Sequence, residues 1–354
     1  MVVVALLLQH RFLGVSAAAP PPTGLPAKTG NPVVMATLPV SAPLGVISEV
    51  MRRDAILAKA LQERGRSLDL LPFVKGRDML PAMINGDIDI ALVGDLPALE
   101  MAVATDIVIA ALAKLGSGGI VSHKRHTTLA DLRGKRIGVP QGANVYYGLL
   151  VALETADMTE GDVEIVFLEP NELLPALLGA RIEAMSIWPP LLESALADNP
   201  GLICLQRFVN ASYVVLRRSF VDQAPEAAAL VLAAYLRALR WMKDDPGHLL
   251  LAAGWAKECA EEFQKSRFAP LELICATTDH DILAYAANPS IPQTDREEGG
   301  QLYQLFTFLQ RKSKLPQSTT WPRLQRSLDR NLLRGILSQP EKYLLNTFDY
   351  GHGS

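Results

Sequence analysis

Short, almost uninterrupted apolar runs alternate with helical patterns along this chain, and that alternation restricts the fold more than any other feature. "VVMATL" (33–38), "LDLLPFV" (68–74), "IDIALVG" (88–94) and "IVIAALA" (107–113) are strand-length runs with few polar residues. A strand with one face in water alternates polar with apolar residues, so runs of this kind are buried on both faces, as in a parallel sheet covered by helices. The stretches between them read as helices. From about Gly45 to Arg64 one side is marked by Val46, Val50, Ile56, Leu57 and Leu61; residues 77–85 form a short helix stopped at Asn85-Gly86; "DLPALEMAVA" begins a helix with Asp95 placed as its N-cap.

Beyond Gly116 the pattern restarts. "GGIVSH" (118–123), "RIGVP" (136–140), "VEIVFLE" (163–169), "IEAMSIW" (182–188) and "LICLQ" (202–206) read as strands, with helices over 143–156 and from Glu172 to Leu178. "ASYVVLRR" (211–218) reads as a return strand, and residues 225–335 are almost wholly helical, with breaks at Pro246, Pro270 and Pro289. Two α/β units followed by a helical segment describe a chain that crosses between lobes and returns.

Composition narrows the function more than the fold. Basic and acidic residues number 34 and 37 and are interspersed, so the basic stripe with which a nucleic-acid binder displaces counterions is missing. Cys204, Cys259 and Cys275 are far apart and fit no C-x-x-C or Cys/His spacing; they read as buried thiols, with a Cys259–Cys275 bridge left open. His123 and His126, the one close histidine pair, lie in the polar run "SHKRHTT", so neither a metal nor a cofactor is implied. At the N-terminus "VVVALLL" (2–8) is followed by "FLGVSAAAP", whose Ala17-Ala18-Ala19 site is similar to that of a secretory signal lacking its positive start. That pattern points to a periplasmic or otherwise secreted protein, the alternative being a disordered apolar tail on a cytoplasmic one. Residues 20–32 carry five prolines and read as a linker, and no apolar run reaches the ~18 to 20 residues of a membrane span.

One turn bears directly on binding. "VPQGANVYYGLL" (139–150) is a strand ending at Pro140, a Gln-Gly-Ala-Asn turn and the start of a helix. The first amides of a helix have no intrahelical acceptor, and small residues let a ligand come close to them, so the turn is either an anion seat or a plain connection.

Three blocks, "INGDIDIALVGDLPALEMA", "TLADLRGKRIGVPQGANVYYGLL" and "DVEIVFLEPNELLPALLGARIEAMSIWPP", follow one another in a familiar order and spacing. Over residues 33–240, and more loosely over 240–315, the chain resembles the substrate-binding proteins for nitrate, taurine, aliphatic sulfonates and thiamine precursors that serve ATP-driven importers. The resemblance implies an α/β, two-lobed, type II periplasmic-binding-protein-like fold with two crossovers, a cleft between the lobes and hinge closure around the ligand. Lobe one is then 33–115 plus 215–315 and lobe two 116–214, with 1–32 a signal segment and linker. Residues 316–354 are a helical C-terminal extension that straps lobe one or meets a partner, ending in a disordered "FDYGHGS". The implied ligand is a small anionic organic molecule, sulfonate- or taurine-like, which a monomer hands to a membrane permease.

In open α/β sheets ligands sit beyond the carboxyl ends of strands, which directs attention to the loops that follow them. After the first strand, Ser41 in "PVSAPLG" either donates to a ligand oxygen or caps the next helix. Gly94-Asp95-Leu96-Pro97 is similar to the family's Gly-Asp-x-Pro; Asp95 can meet an ammonium group, but a helix cap needs the same side chain and is favoured. Gly142, Ala143, Asn144, Val145, Tyr146 and Tyr147 match the family's Gly-Ser-x-x-His-Tyr block, where the helix start receives the anionic head of the ligand. The resemblance thus favours the anion seat. Two departures stand out: Ala143 replaces the usual hydroxyl residue, and Tyr146 stands where histidine is common. Loss of one hydrogen bond weakens sulfonate binding by about 1 kcal/mol or more, leaving backbone amides and Asn144 to hold the anion, or a less anionic ligand. Trp188 in "SIWPP" matches the family's Trp-x-Pro segment and lines the cleft unless it is a core residue. Tyr213 on the return strand is a further candidate. Lys114-Leu115-Gly116 reads as hinge, with Lys114 an anion partner.

Two other classes share the fold. A desulfinase-like enzyme uses a cleft cysteine after strand one, and a thiamine-pyrimidine synthase a cysteine-rich motif; here that loop is "LPVSAPLG", with Ser41 and no histidine base suggested by spacing. A ligand sensor needs an output domain, and nothing beyond residue 315 resembles one.

Overall fold

The computed structural model describes residues 31–351, so the signal-like segment lies outside the described residues. Its strands are β1 (Val33–Thr37), β2 (Leu68–Pro72), β3 (Ile90–Gly94), β4 (Ile107–His123), β5 (Arg136–Val139), β6 (Glu164–Phe167), β7 (Ala184–Ile187) and β8 (Leu202–Arg217), laid side by side in the order β2-β1-β3-β8-β4-β7-β5-β6. β1 is parallel to β2 and β3, and β5 is parallel to β6 and β7, so each end of the sheet is a parallel unit. β4 and β8, 17 and 16 residues long, run antiparallel to each other and belong to both units. β8 meets β3 through Ser212–Leu216, and β4 meets β7 through Gly119–Ser122.

The sequence pattern divides each of these long strands in two, whereas the structure keeps both continuous, with register shifts at Ile109/Ala111, Leu112/Lys114 and Ile120/Val121. Each strand supplies the other's hydrogen-bond partners through the crossover, so the small residues Gly116-Ser117-Gly118-Gly119 pass between units without leaving the ladder.

Helices α1 (Leu44–Arg52), α2 (Ala55–Gln62), α3 (Leu80–Asn85) and α4 (Asp95–Ala104) connect the first strands, and α5 (Asn144–Thr155), α6 (Pro170–Leu178) and α7 (Leu191–Asp198) follow β5, β6 and β7. After β8 come α8 (Arg218–Gln223), α9 (Pro225–Asp244), α10 (Pro246–Gln264), α11 (Leu271–Asp281), α12 (Gln301–Arg311), α13 (Trp321–Gln325) and α14 (Asn331–Leu337). The single helix expected over 45–64 breaks at Asp54, which caps α2 by accepting the Leu57 N–H at 2.9 Å. Its other oxygen pairs with Arg237 of α9 at 2.7 Å, both side chains being fully buried. A charge cannot be left unpaired there, and the break in the helix is what brings the carboxylate to the guanidinium.

β1 and β3 are buried at every position, while the outermost strands β2 and β6 are half-exposed. Two apolar cores result. One surrounds β1, β3 and the first part of β4 and continues through α9 and α10 as far as Tyr350; the other lies around β5, β7, α5 and α6, between Ile120 and Leu202. The fold is therefore two-lobed, with two crossovers and a helical C-terminal segment.

That C-terminal segment belongs to lobe one. In this lobe β4 would be an open edge, and it is covered: Ile109 N–H donates to the Ser327 carbonyl at 2.7 Å, Asp329 N–H returns to the Ile109 carbonyl at 3.0 Å, and Leu112 N–H reaches the Pro289 carbonyl at 2.9 Å. Farther on, the Ala55 N–H donates to the Asp349 carbonyl at 2.9 Å. Trp241 stands between His248 and Tyr350, with ring centroids at 4.5 Å on each side. The end of the chain, read as disordered, is packed at least through Tyr350, because the indole of Trp241 offers an apolar face that the sequence around "FDY" does not reveal. All three cysteines are free, so the open question of a Cys259–Cys275 bridge is answered by two thiols. No helix among the described residues is long and apolar enough to cross a membrane.

Candidate functional site

The strands of both lobes end facing one another, and a cavity of about 30 Å³ lies between them. Its lobe-one side is made by the loop after β1 (Leu38, Ser41 and Leu44), the loop after β2 (Val74, Lys75 and Gly76), Gly94 at the end of β3 and Pro97 beyond it, and between the lobes stand Lys114 and Ser212 on the two long strands. Lobe two contributes Ala143 and Asn144 at the start of α5 and Trp188 after β7. Of the residues singled out in the sequence, Ser41, Gly94, Lys114, Ala143, Asn144 and Trp188 are thus brought to one place.

The other four stand off the wall. Gly94, not Asp95, is the N-cap of α4; Asp95 is its first helical residue, and its carboxylate accepts from the Leu96 N–H at 2.7 Å, the Ala211 N–H at 3.3 Å and Gln301 Nε2 at 3.4 Å. Burial pushes this carboxyl up to about 6, against those donors. Tyr213 is fully buried and donates its hydroxyl to Asp295 at 2.7 Å. Tyr146 turns into lobe two, its hydroxyl on Glu160 and its ring edge-on to Phe167. Gly142 shapes the seat from behind: its φ of 69° is left-handed, and a Cβ there would collide with the Arg77 side chain of lobe one.

The start of α5 is open to a ligand. Its N-cap Ala143 makes no side-chain cap, so the first amides of the helix have no acceptor inside it, and Asn144 carries one of them at the cavity wall. On the same lobe stands Trp188, 7 % exposed, whose indole N–H is buried and has no hydrogen-bond partner. A buried donor in that condition costs free energy that an incoming acceptor recovers. Lys114, also buried, lies 3.3 Å from Asp281 Oδ2 of α11. Burial lowers the lysine's pKa, and the neighbouring carboxylate works in the opposite sense.

Two kinds of contact hold the lobes together around the cavity. At its rim Lys75 Nζ is 2.7 Å from Glu169 Oε1. Farther out, α12 of the C-terminal segment rests on α5: Arg311 and Lys312 reach Glu154 at 2.7 and 2.9 Å, and Phe308 meets Tyr147 edge-on at 5.1 Å. The room inside is enough for about two water molecules, so an organic ligand enters only if the lobes part.

Sequence reasoning passed over Lys75, Ser212 and Asp281. Lys75 was within reach, since it lies just after a strand like the others. Ser212 was hidden in an apolar return strand, and nothing local connects Asp281 with Lys114, 167 positions away in the chain.

Comparison with known proteins agrees with this fold. The taurine-binding periplasmic protein of Escherichia coli (strain K12) is 29 % identical over 188 residues, 51 % of this chain and 58 % of that protein. The chain thus spans a little over half the length of the curated relatives it matches. Among solved structures, the periplasmic aliphatic sulphonate binding protein SsuA from Escherichia coli superposes with a TM-score of 0.64 at 19 % identity, covering 86 % of this chain and 99 % of that one. The desulfurization enzyme DSZB has the same fold, with a TM-score of 0.58 at 15 % identity over 87 % and 99 % of the two chains. The family model described as NMT1/THI5 like matches residues 62–248, more than half of the chain, and the chain belongs to that family.

Proposed function

We propose that this chain is the solute-binding component of an ATP-driven importer. It captures a small organic oxyanion, sulfonate- or taurine-like, by closure of lobe one (33–115 and 215–315) on lobe two (116–214), and presents it as a periplasmic monomer to a membrane permease. The observation that carries this reading is a cavity walled by both lobes whose lobe-two side brings together the unpartnered Trp188 N–H and the start of α5, which has no side-chain cap. Ser41, Ser212 and Asn144 add neutral donors, and Lys114 the buried cation. Gly94 and Ala143 contribute backbone and close approach, and Lys75 guards the rim. Asp95, Gly142, Tyr146 and Tyr213 support the walls from behind. The names of the taurine- and sulphonate-binding relatives favour the same ligand chemistry.

The wall as drawn favours capture over turnover: its lining contains Ser41 but neither a cysteine nor a histidine to act as nucleophile or base. Thermal unfolding in the presence of taurine, alkane- and arylsulfonates and nitrate tests the proposal. A ligand at ~100 times its Kd adds about 2.7 kcal/mol and raises Tm by several degrees. A rise with the compound recovered intact is the expected result. No rise across the panel would sink the proposal, and release of sulfite would replace it by a desulfinase-like enzyme.

A further inference from the structure

Beneath the cavity floor the crossover holds a set of buried polar groups whose hydrogen bonding is incomplete. Gly116 pairs with Asn210 and Lys114 with Ser212, so in these antiparallel pairs the four positions project to the same face of the sheet. On that face lies Asp281, so close that a Cβ on Gly116 would collide with its Oδ2. Asp281 Oδ1 is engaged by His280 Nδ1 at 2.8 Å. Oδ2 stands 3.3 Å from Lys114 Nζ but without hydrogen-bond alignment, and it has no hydrogen-bond partner. Asn210, 2 % exposed, has no partner for either its carbonyl oxygen or its amide nitrogen.

The charges are as informative as the missing bonds. Lys114 is the buried lysine at the cavity wall, 3.3 Å from the buried carboxylate of Asp281 and within the field of a second, Asp95. The lysine at the rim, Lys75, is already held by Glu169. A plain monoanion closed into this cavity would therefore be buried without a cation of its own, which is costly in a low-dielectric interior. A ligand that also carries a positive group brings the missing charge with it, and unpaired acceptors are waiting on the crossover side while unpaired donors wait on the Trp188 side.

Resting on the capture reading above, we propose that Asp281, supplied by the helical C-terminal segment, is a specificity residue: it cancels Lys114 and, with the Asn210 carbonyl, selects ligands bearing a basic nitrogen beside their oxyanion. The ammonium takes the place at Asp281 Oδ2 that Lys114 fills imperfectly, and Lys114 is freed toward the oxyanion.

Matched pairs of ligands test this in the unaltered protein. Calorimetric titration with taurine against ethanesulfonate, and with β-alanine against propionate, compares molecules that differ by the amine. The expected result is a preference for the amine-bearing member of at least about tenfold, the scale of one hydrogen bond to a charged group. In Asp281→Asn the preference should fall to about twofold or less, with ethanesulfonate bound more tightly than by the wild type. Equal or tighter binding of ethanesulfonate by the wild type overturns the proposal, as does a preference retained in a folded Asp281→Asn. Binding of ethanesulfonate alone, or of an arylsulfonate or nitrate but none of the four, thus defeats the role of Asp281 while leaving anion capture intact; binding of none of the four and no rise in Tm across the wider panel defeats both.

Discussion

The two walls of the cavity are built from different chemistry. Lobe one presents charge: Lys114 and its partner Asp281 are buried, Asp95 lies behind them, and the elements carrying them are fastened by the strap of residues 315–350. Lobe two presents neutral donors, the first amides of α5, the Asn144 side chain and the Trp188 indole, on a smaller core without such a strap. Moving a charge between water and a protein interior costs far more than moving a neutral donor. For the proposed closure of the lobes, fixed charges on the braced lobe and neutral donors on the other keep the cost of exposing and reburying charge low.

The contrast can be broken most forcefully inside lobe one. Arg237→Ala leaves the Asp54 carboxylate buried and alone and removes the donor to the Tyr343 carbonyl, so urea denaturation should show a loss of about 3–5 kcal/mol. The exposed Arg136 of lobe two, paired with Glu183, should tolerate replacement by Ala with far less loss, since solvent screens the pair. Equal losses would remove the distinction between a braced and an unbraced lobe.

Asp95 sharpens the comparison through pH. Because burial raises its carboxyl from 3.8 to about 6, its contribution to folding is fully present below the lower value and is lost as pH rises through the upper one. Between ~pH 4 and ~pH 6 the wild type should lose about 2–3 kcal/mol of stability relative to Asp95→Asn, as a pH series of denaturation curves would reveal. A difference independent of pH would show that this carboxyl is not held up by burial.

On the neutral wall, Trp188→Phe keeps the ring and removes the N–H. Ligand affinity should fall about five- to tenfold while the melting temperature of the ligand-free protein stays unchanged or rises, since an unpaired buried donor has been removed. Unchanged affinity would take the indole N–H out of the site. The smallest effect is expected at the outer contact of the lobes: Arg311→Ala, removing an exposed ion pair with Glu154, should change stability by no more than about 0.5 kcal/mol and ligand release about twofold by stopped-flow fluorescence.

Much of the site was legible because its local signals are strong. The strand–turn–helix pattern at 139–150 locates the start of α5 at the cavity wall, and "SIWPP" locates Trp188, since both sit where a strand hands over to a helix. Asp95 and Tyr213 show the limit of such reading. Their neighbours along the chain suit a cap and a cleft residue, yet Ala211, Gln301 and Asp295, brought in from up to 206 positions away, claim their polar atoms. A hydrogen bond between distant segments leaves no trace in local periodicity.

The sequence by itself determined the alternation of buried strands and covering helices, the order of the two α/β units and the turns that carry the donors. Those follow from side-chain pattern and turn chemistry within a few residues of each position. Only the tertiary structure decided that β4 and β8 run unbroken through both lobes, that the C-terminal segment closes the open edge of β4, and that Asp281 meets Lys114 beside Gly116. Each of those depends on which distant segment satisfies a backbone group or a charge that burial would otherwise leave unpaired, and that is settled when the whole chain packs.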